Sequence, residues 1–154
     1  MGTFTVHRVV GASADRTWAV LVDWPRHTGT VPLTTVRRVP APDGRPDGIG
    51  SGLVARTGVG ALAYDDRMTV TRWQPPSAGL PGCCGLRKEG RGVTGGVEMT
   101  VTPIAPARCR VAWHEQADVV GVRSLSLGRV VEGAVGRLVF GRALRRLARQ
   151  AEKA

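Results

Sequence analysis

The 154-residue sequence predicts an α+β fold, a curved antiparallel sheet of about six to seven strands wrapped around one long C-terminal helix, with two short helices after the first strand. Three observations predict it. A β-branched N-terminal segment runs straight into Ala12-Ser13-x-x-x-x-Trp18, which reads as a capped helix start. Almost nothing but strand and turn signals follows as far as Val119. The chain then closes on a long apolar helix studded with arginine. A sheet bent around such a helix leaves a pocket between the two.

Each element follows from its residues. Residues 3–10 carry Thr, Val and Phe and read as the first strand. Ser13 is a natural N-cap with Asp15 in the first turn, and Ala14, Trp18 and Leu21 recur at helical spacing to give one apolar face. The helix must stop before Asp23-Trp24-Pro25, because the residue preceding proline is pushed to extended geometry. A second short helix or turn is expected over Arg26–Thr30. Strands are expected at Thr35–Val39, Gly52–Gly58, Leu62–Trp73, Cys83–Arg91, Gly95–Pro103 and Arg108–Val119. Turn residues separate them, chiefly the Pro- and Gly-rich stretch Pro40–Gly48, Pro75-Pro76 and Ala105-Pro106-Ala107. The last two strands form the clearest hairpin. Leu127 to Ala151 reads as the long helix, with Leu127, Val131, Ala134, Leu138, Gly141, Leu144 and Ala148 along one stripe. Arg137, Arg142, Arg145, Arg146, Arg149 and Lys153 crowd its other faces, a docked helix with a solvated side. No repeat or linker interrupts the chain, so residues 1–154 are expected to form a single domain.

Composition narrows the function classes. The formal charge is +10, but only Lys88 and Lys153 among the 22 basic residues are lysine, the arginine bias of a GC-rich, bacterial genome. Polyanion or ribosome-associated binding through the arginine-rich surface is therefore a third expectation behind those below, with nucleic acid or a membrane surface as partners not favoured. Aromatic content of 5%, mostly Trp, supplies a single-strand stacking surface poorly. No apolar run reaches the roughly 18 residues a membrane span needs. The N-terminus has no basic region followed by an apolar one, so a cytoplasmic location is expected. Cys83, Cys84 and Cys109 are odd in number and lack partners at zinc-ligand spacing, which argues for apolar filler over disulfide or metal.

Several segments together resemble a known family. Ala12 to His27 (Ala-Ser-Ala-Asp-Arg-Thr-Trp-Ala-Val-Leu-Val-Asp-Trp-Pro-Arg-His), with Pro32 shortly after, resembles the opening of the polyketide cyclase/dehydrase branch of the START-like (SRPBCC, Bet v 1-like) superfamily. Asp65-Asp66-x-Met68-x-Val70-x-x-Trp73, Val97 to Pro103 and Arg110 to Glu115 fit as well, and the order of elements agrees along nearly the whole length. The resemblance implies a helix-grip fold enclosing a cavity for sterols, lipids, hormones, quinones or polyketide chains. Members of this group differ in chemistry, so architecture is implied more firmly than reaction.

Strand parity selects candidate site residues. On 108–119, Cys109, Val111, Trp113 and Glu115 share the more apolar face and should look inward. Val97, Met99 and Val101 face inward from the preceding strand, with Met68 and Val70 from theirs. Trp18 and Leu138 complete the apolar wall, and Tyr64, Asp66 and Arg56 are candidate polar groups across the cavity. Glu115 is the candidate acid/base, and a carboxylate placed there must find an arginine or raise its pKa. The competing reading of Glu115 is a rim ion pair at a strand end. His7, His27 and His114 are dispersed, and there is no nucleophile elbow, phosphate loop or metal-ligand cluster. The function expected is binding of a hydrophobic small molecule without defined catalysis and without a cofactor. The alternative is a cofactor-independent polyketide aromatase/cyclase or dehydrase using Glu115.

Overall fold

The computed structural model describes residues 2–119 and 126–154, with backbone alone at 119 and 126–132. Seven strands form one antiparallel sheet: β1 (Gly2–Val10), β2 (Thr34–Val39), β3 (Gly52–Thr57), β4 (Tyr64–Gln74), β5 (Gly82–Glu89), β6 (Val93–Ala105) and β7 (Arg108–Val119). Their order is β1-β7-β6-β5-β4-β3-β2, a meander from β2 to β7 with β1 returned beside the last strand. Register shifts between Val70 and Arg72 and between Pro103 and Ala105 add local twist.

Helix α1 (Ala14–Leu21) starts where Ser13 accepts a hydrogen bond from the Arg16 amide at 3.2 Å. It buries Ala14, Thr17, Trp18 and Leu21 and packs on β6 and β7. The second short helix is a single 3-10 turn, Trp24–His27, beginning two residues earlier than expected because Pro25 suits a first helical turn. A further 3-10 turn, Gly60–Leu62, delays β4 to Tyr64.

Helix α2 (Ser126–Lys153) packs against β1, α1 and the Trp24–His27 turn. Its seat differs from the expected stripe. Leu144 and Ala148 are buried as expected, with Ala143, Leu147 and Ala151, but Ala134 and Leu138 face solvent and Gly141 is half-buried. The expected Leu127 and Val131 lie outside the described side chains. The physical reason is that β1 approaches α2 at glycines. A Cβ on Gly136 would lie 2.6 Å from the Phe4 ring, and one on Gly133 3.8 Å from the Thr3 carbonyl. The contact face thus runs through 133, 136, 140, 144, 147 and 151, and a search for large apolar residues is led around the helix to Leu138. All six basic side chains read onto the outer faces are exposed, and Arg146 donates to the Gly29 carbonyl.

Candidate functional site

The concave face of the sheet splits into two zones. Under α1 it is solid: Trp18 meets Trp73 edge-on at 5.3 Å, Cys109 lies 3.2 Å from the Thr17 hydroxyl, and Val70, Val101 and Val111 are fully buried. Toward the other end the side chains separate around a cavity of about 310 Å3. Strands β2 to β7 supply most of its wall, Trp24 and His27 enter from the 3-10 turn, and Phe140 closes it from α2. Phe140 stacks between Phe4 and Trp113, with ring centroids 5.2 and 5.4 Å away.

Seven of the residues read from the sequence line this cavity: Tyr64, Asp66, Met68, Val97, Met99, Trp113 and Glu115. Six stand elsewhere. Val70, Val101 and Val111 face the correct way but lie beneath α1, in packed core with Trp18 of that helix. Arg56 points outward from β3 and pairs with Asp65 at 3.0 Å, because Leu53 and Ala55 hold the inward parity of that strand. Leu138 is exposed, for the reason given for α2.

The polar end of the cavity is a buried ionic cluster that the sequence reading only half contained. Lys88 Nζ lies 2.7 Å from Asp66 Oδ2 and 3.1 Å from Glu115 Oε1. Side-chain exposures are 3%, 11% and 6% for Lys88, Asp66 and Glu115, so all three have left bulk water. Glu115 is therefore neither a rim pair nor matched to an arginine; its cation is a lysine two strands away. Register explains the reach. Lys88 on β5 pairs with Gly95 on β6, which pairs with Ala117 on β7, so no side chain stands between Lys88 and the Glu115 end of β7. Gly95 itself requires glycine, with φ +131 and a would-be Cβ 2.2 Å from the Gln116 carbonyl.

The cluster carries one cation and two carboxylates, and burial resists the surplus negative charge. Burial pushes the Glu115 carboxyl above its usual range, more strongly than the nearby Lys88 ammonium draws it down. Lys88 is held above its ordinary value: burial alone would lower it, but Glu115 and Asp66 together outweigh that. Trp113 Nε1 donates to Glu115 Oε2 at 3.3 Å, fixing the carboxyl against the indole edge.

His27 was set aside in the sequence as a dispersed histidine, yet it belongs to the cavity wall. Its Nε2 lies 2.8 Å from the Leu21 carbonyl, which can only accept, so Nε2 carries the proton and Nδ1 keeps its lone pair. Burial lowers its pKa, against the opposing pull of Leu21 and Asp23, and keeps the ring neutral. The ring sits between Trp24 and Trp113, at centroid distances of 5.7 and 5.8 Å.

A signal for Lys88 was present in the sequence. It is one of only two lysines in an arginine-rich chain, and Cys84, Leu86 and Lys88 share the inward parity of β5. Among the described residues no group of three or more His, Cys, Asp or Glu could hold a metal ion, and no helix is long and apolar enough to cross a membrane. The three cysteines are free and buried.

Known proteins share this frame. The solved structure of a conserved protein from Geobacillus kaustophilus superposes with a TM-score of 0.71 at 16% identity, covering 98% of this chain and 95% of that one. A START superfamily protein from Mycobacterium smegmatis gives 0.65 at 15% identity, covering 99% and 96%. The Zhui aromatase/cyclase from Streptomyces sp. R1128 gives 0.64 at 17%, covering 98% and 93%. At these identities the likeness is one of fold. No functionally curated protein sequence matches the chain. The family profile described as polyketide cyclase/dehydrase and lipid transport matches residues 1–152, essentially the whole sheet and both helices, and the chain belongs to that family.

Proposed function

We propose that the chain binds a small, predominantly apolar molecule in the cavity between sheet and α2, without defined catalysis. The observation that carries this reading is the cavity itself: about 310 Å3, apolar over most of its wall, with its charged groups confined to one end. That is the low end of the roughly 300–1,000 Å3 typical of ligand sites and suits one compact molecule. Tyr64, Met68, Val97, Met99 and Trp113 form the apolar contacts in this reading, and Asp66 and Glu115 the polar ones. Native mass spectrometry of the purified protein, repeated after denaturation, tests it. A stoichiometric released adduct of lipid, quinone or polyketide size is expected. A bare mass that also takes up no small apolar compound on titration refutes it.

A second reading has its own observation. Glu115 is a buried carboxyl of raised pKa beside an ammonium in an enclosed site, the arrangement an acid/base group needs. As a cyclase or dehydrase acting on a polyketide, the protein would lose turnover on Glu115→Gln while keeping its fold. Full activity in that variant removes Glu115 from any mechanism.

A further inference from the structure

We propose that the polar end of the cavity recognises a neutral molecule bearing a hydroxyl or N–H donor, and that it discriminates against carboxylates. This rests on the binding reading above and names the ligand class.

Charge comes first. Among the described residues, the charged side chains on the cavity wall are Asp66, Lys88 and Glu115. Lys88 already faces two carboxylates at 2.7 and 3.1 Å. With Glu115 ionised the cluster sums to −1, and with Glu115 protonated to zero. In neither state does this cluster offer an uncommitted cation, so a carboxylate entering beside it is buried without a counter-charge from the described wall, at high cost in a desolvated site.

Hydrogen-bonding capacity comes second, and it points the same way. Asp66 is nine-tenths buried, and its Oδ1 has no donor among the described residues. His27 presents an Nδ1 lone pair, because its proton is committed to the Leu21 carbonyl. The wall therefore holds two open acceptors, which want donors from the ligand. Trp24, fully buried, has an Nε1–H with no acceptor among the described residues. A buried polar atom left unpaired costs about 1–3 kcal/mol, so Asp66 Oδ1 and Trp24 Nε1 each reward a matching group. A hydroxyl on an apolar ring both donates and accepts, whereas a carboxylate gives nothing to Asp66 or His27.

The test compares three probes of one size on the wild-type protein at neutral pH: 2-naphthol, 2-naphthoate and naphthalene. The phenol is then neutral and the acid ionised. Affinities come from calorimetry, and the indole resonances of 15N-tryptophan-labelled protein report Trp24 directly. The expected result is naphthol on the order of tenfold tighter than either naphthalene or naphthoate, with a downfield shift of the Trp24 indole proton. In Asp66→Asn, one negative charge and one acceptor are gone, and the preference for naphthol over naphthoate should fall by about tenfold. Naphthoate binding as tightly as naphthol overturns the proposal, as does an unchanged preference in Asp66→Asn. Naphthalene matching naphthol overturns it while leaving the apolar cavity reading intact. Failure of all three to bind overturns both. The wild-type comparison stands whether or not the variant folds.

Discussion

Removing the Lys88 cation is the sharpest test of the cluster at the heart of the cavity. In Lys88→Met the side chain keeps nearly its length and loses its charge, leaving Asp66 and Glu115 facing one another with side-chain exposures of 11% and 6%. At 2.7 and 3.1 Å, with an effective dielectric of about 20, the two attractions amount to roughly 6 and 5 kcal/mol before solvation is counted. Dehydration of three ions offsets most of that in the native cluster. Deletion of one partner does not restore it, because the surviving carboxylates stay buried. The expected net loss is about 3–5 kcal/mol at neutral pH, or roughly 6–20 °C in Tm for a chain of this size. Urea unfolding followed by circular dichroism measures it. The pH dependence gives the sign. Without Lys88 the buried Glu115 carboxyl, already raised by burial, loses the ammonium that draws it down, so its contribution to stability is full below the ordinary carboxylate range and lost as pH rises through the raised value. The deficit of the variant should therefore shrink in acid. A triple variant, Lys88→Met with Asp66→Asn and Glu115→Gln, should recover at least half of the loss. A cost below about 1 kcal/mol for the single variant, or a triple variant as unstable as the single, would refute the account.

Other outcomes follow from the same structure. Glu115 has a raised pKa in the folded protein, so its contribution to stability should decline as pH climbs from the ordinary carboxylate value through the raised one; Glu115→Gln should lack that declining component relative to wild type, and identical slopes would count against the assignment. Gly136→Ala places a Cβ 2.6 Å from the Phe4 ring and should cost about 1–3 kcal/mol in denaturant titration, while Gly141→Ala, with nothing within 4 Å, should gain up to about 1 kcal/mol. Equal effects at the two glycines would show that α2 is seated differently. The thiols should resist Ellman's reagent in the native state: Cys84 is pushed up to about 12 by burial, Cys83 and Cys109 are also raised by burial, and all three should react once unfolded.

Periodicity carried most of the fold. The alternation Cys109, Val111, Trp113, Glu115 has the period of a strand with one buried face, and the structure puts all four on the concave side. Ser13 and the following apolar spacing likewise located α1. What parity cannot supply is depth along a strand: Val101 and Val111 share a face with Met99 and Trp113, but one end of that face is filled by α1 and the other is open. Nor does hydropathy locate a contact made by absent side chains, which is why Gly133 and Gly136 hid the docking face of α2. Lys88 escaped notice because lysine is ordinarily a surface residue, and only its two carboxylate partners, brought from β4 and β7 by pairing, make its burial tolerable.

The return of β1 to the side of β7 has a kinetic consequence. From β2 to β7 each strand pairs with the next in sequence, so that ribbon can zip through local contacts. The seam that completes it joins distant parts of the chain: Thr5 bonds His114 at a separation of 109 residues, and the Gly11 amide meets Glu152 across 141. Such non-local closure places folding in the millisecond-to-second range, with β1 and α2 docking late. During synthesis β1 must wait until β7 and α2, more than 100 residues further along, have been made. A chain cut short within α2 therefore leaves β1 uncovered and exposes the inward face of the sheet as a target for proteases and for other unfinished chains.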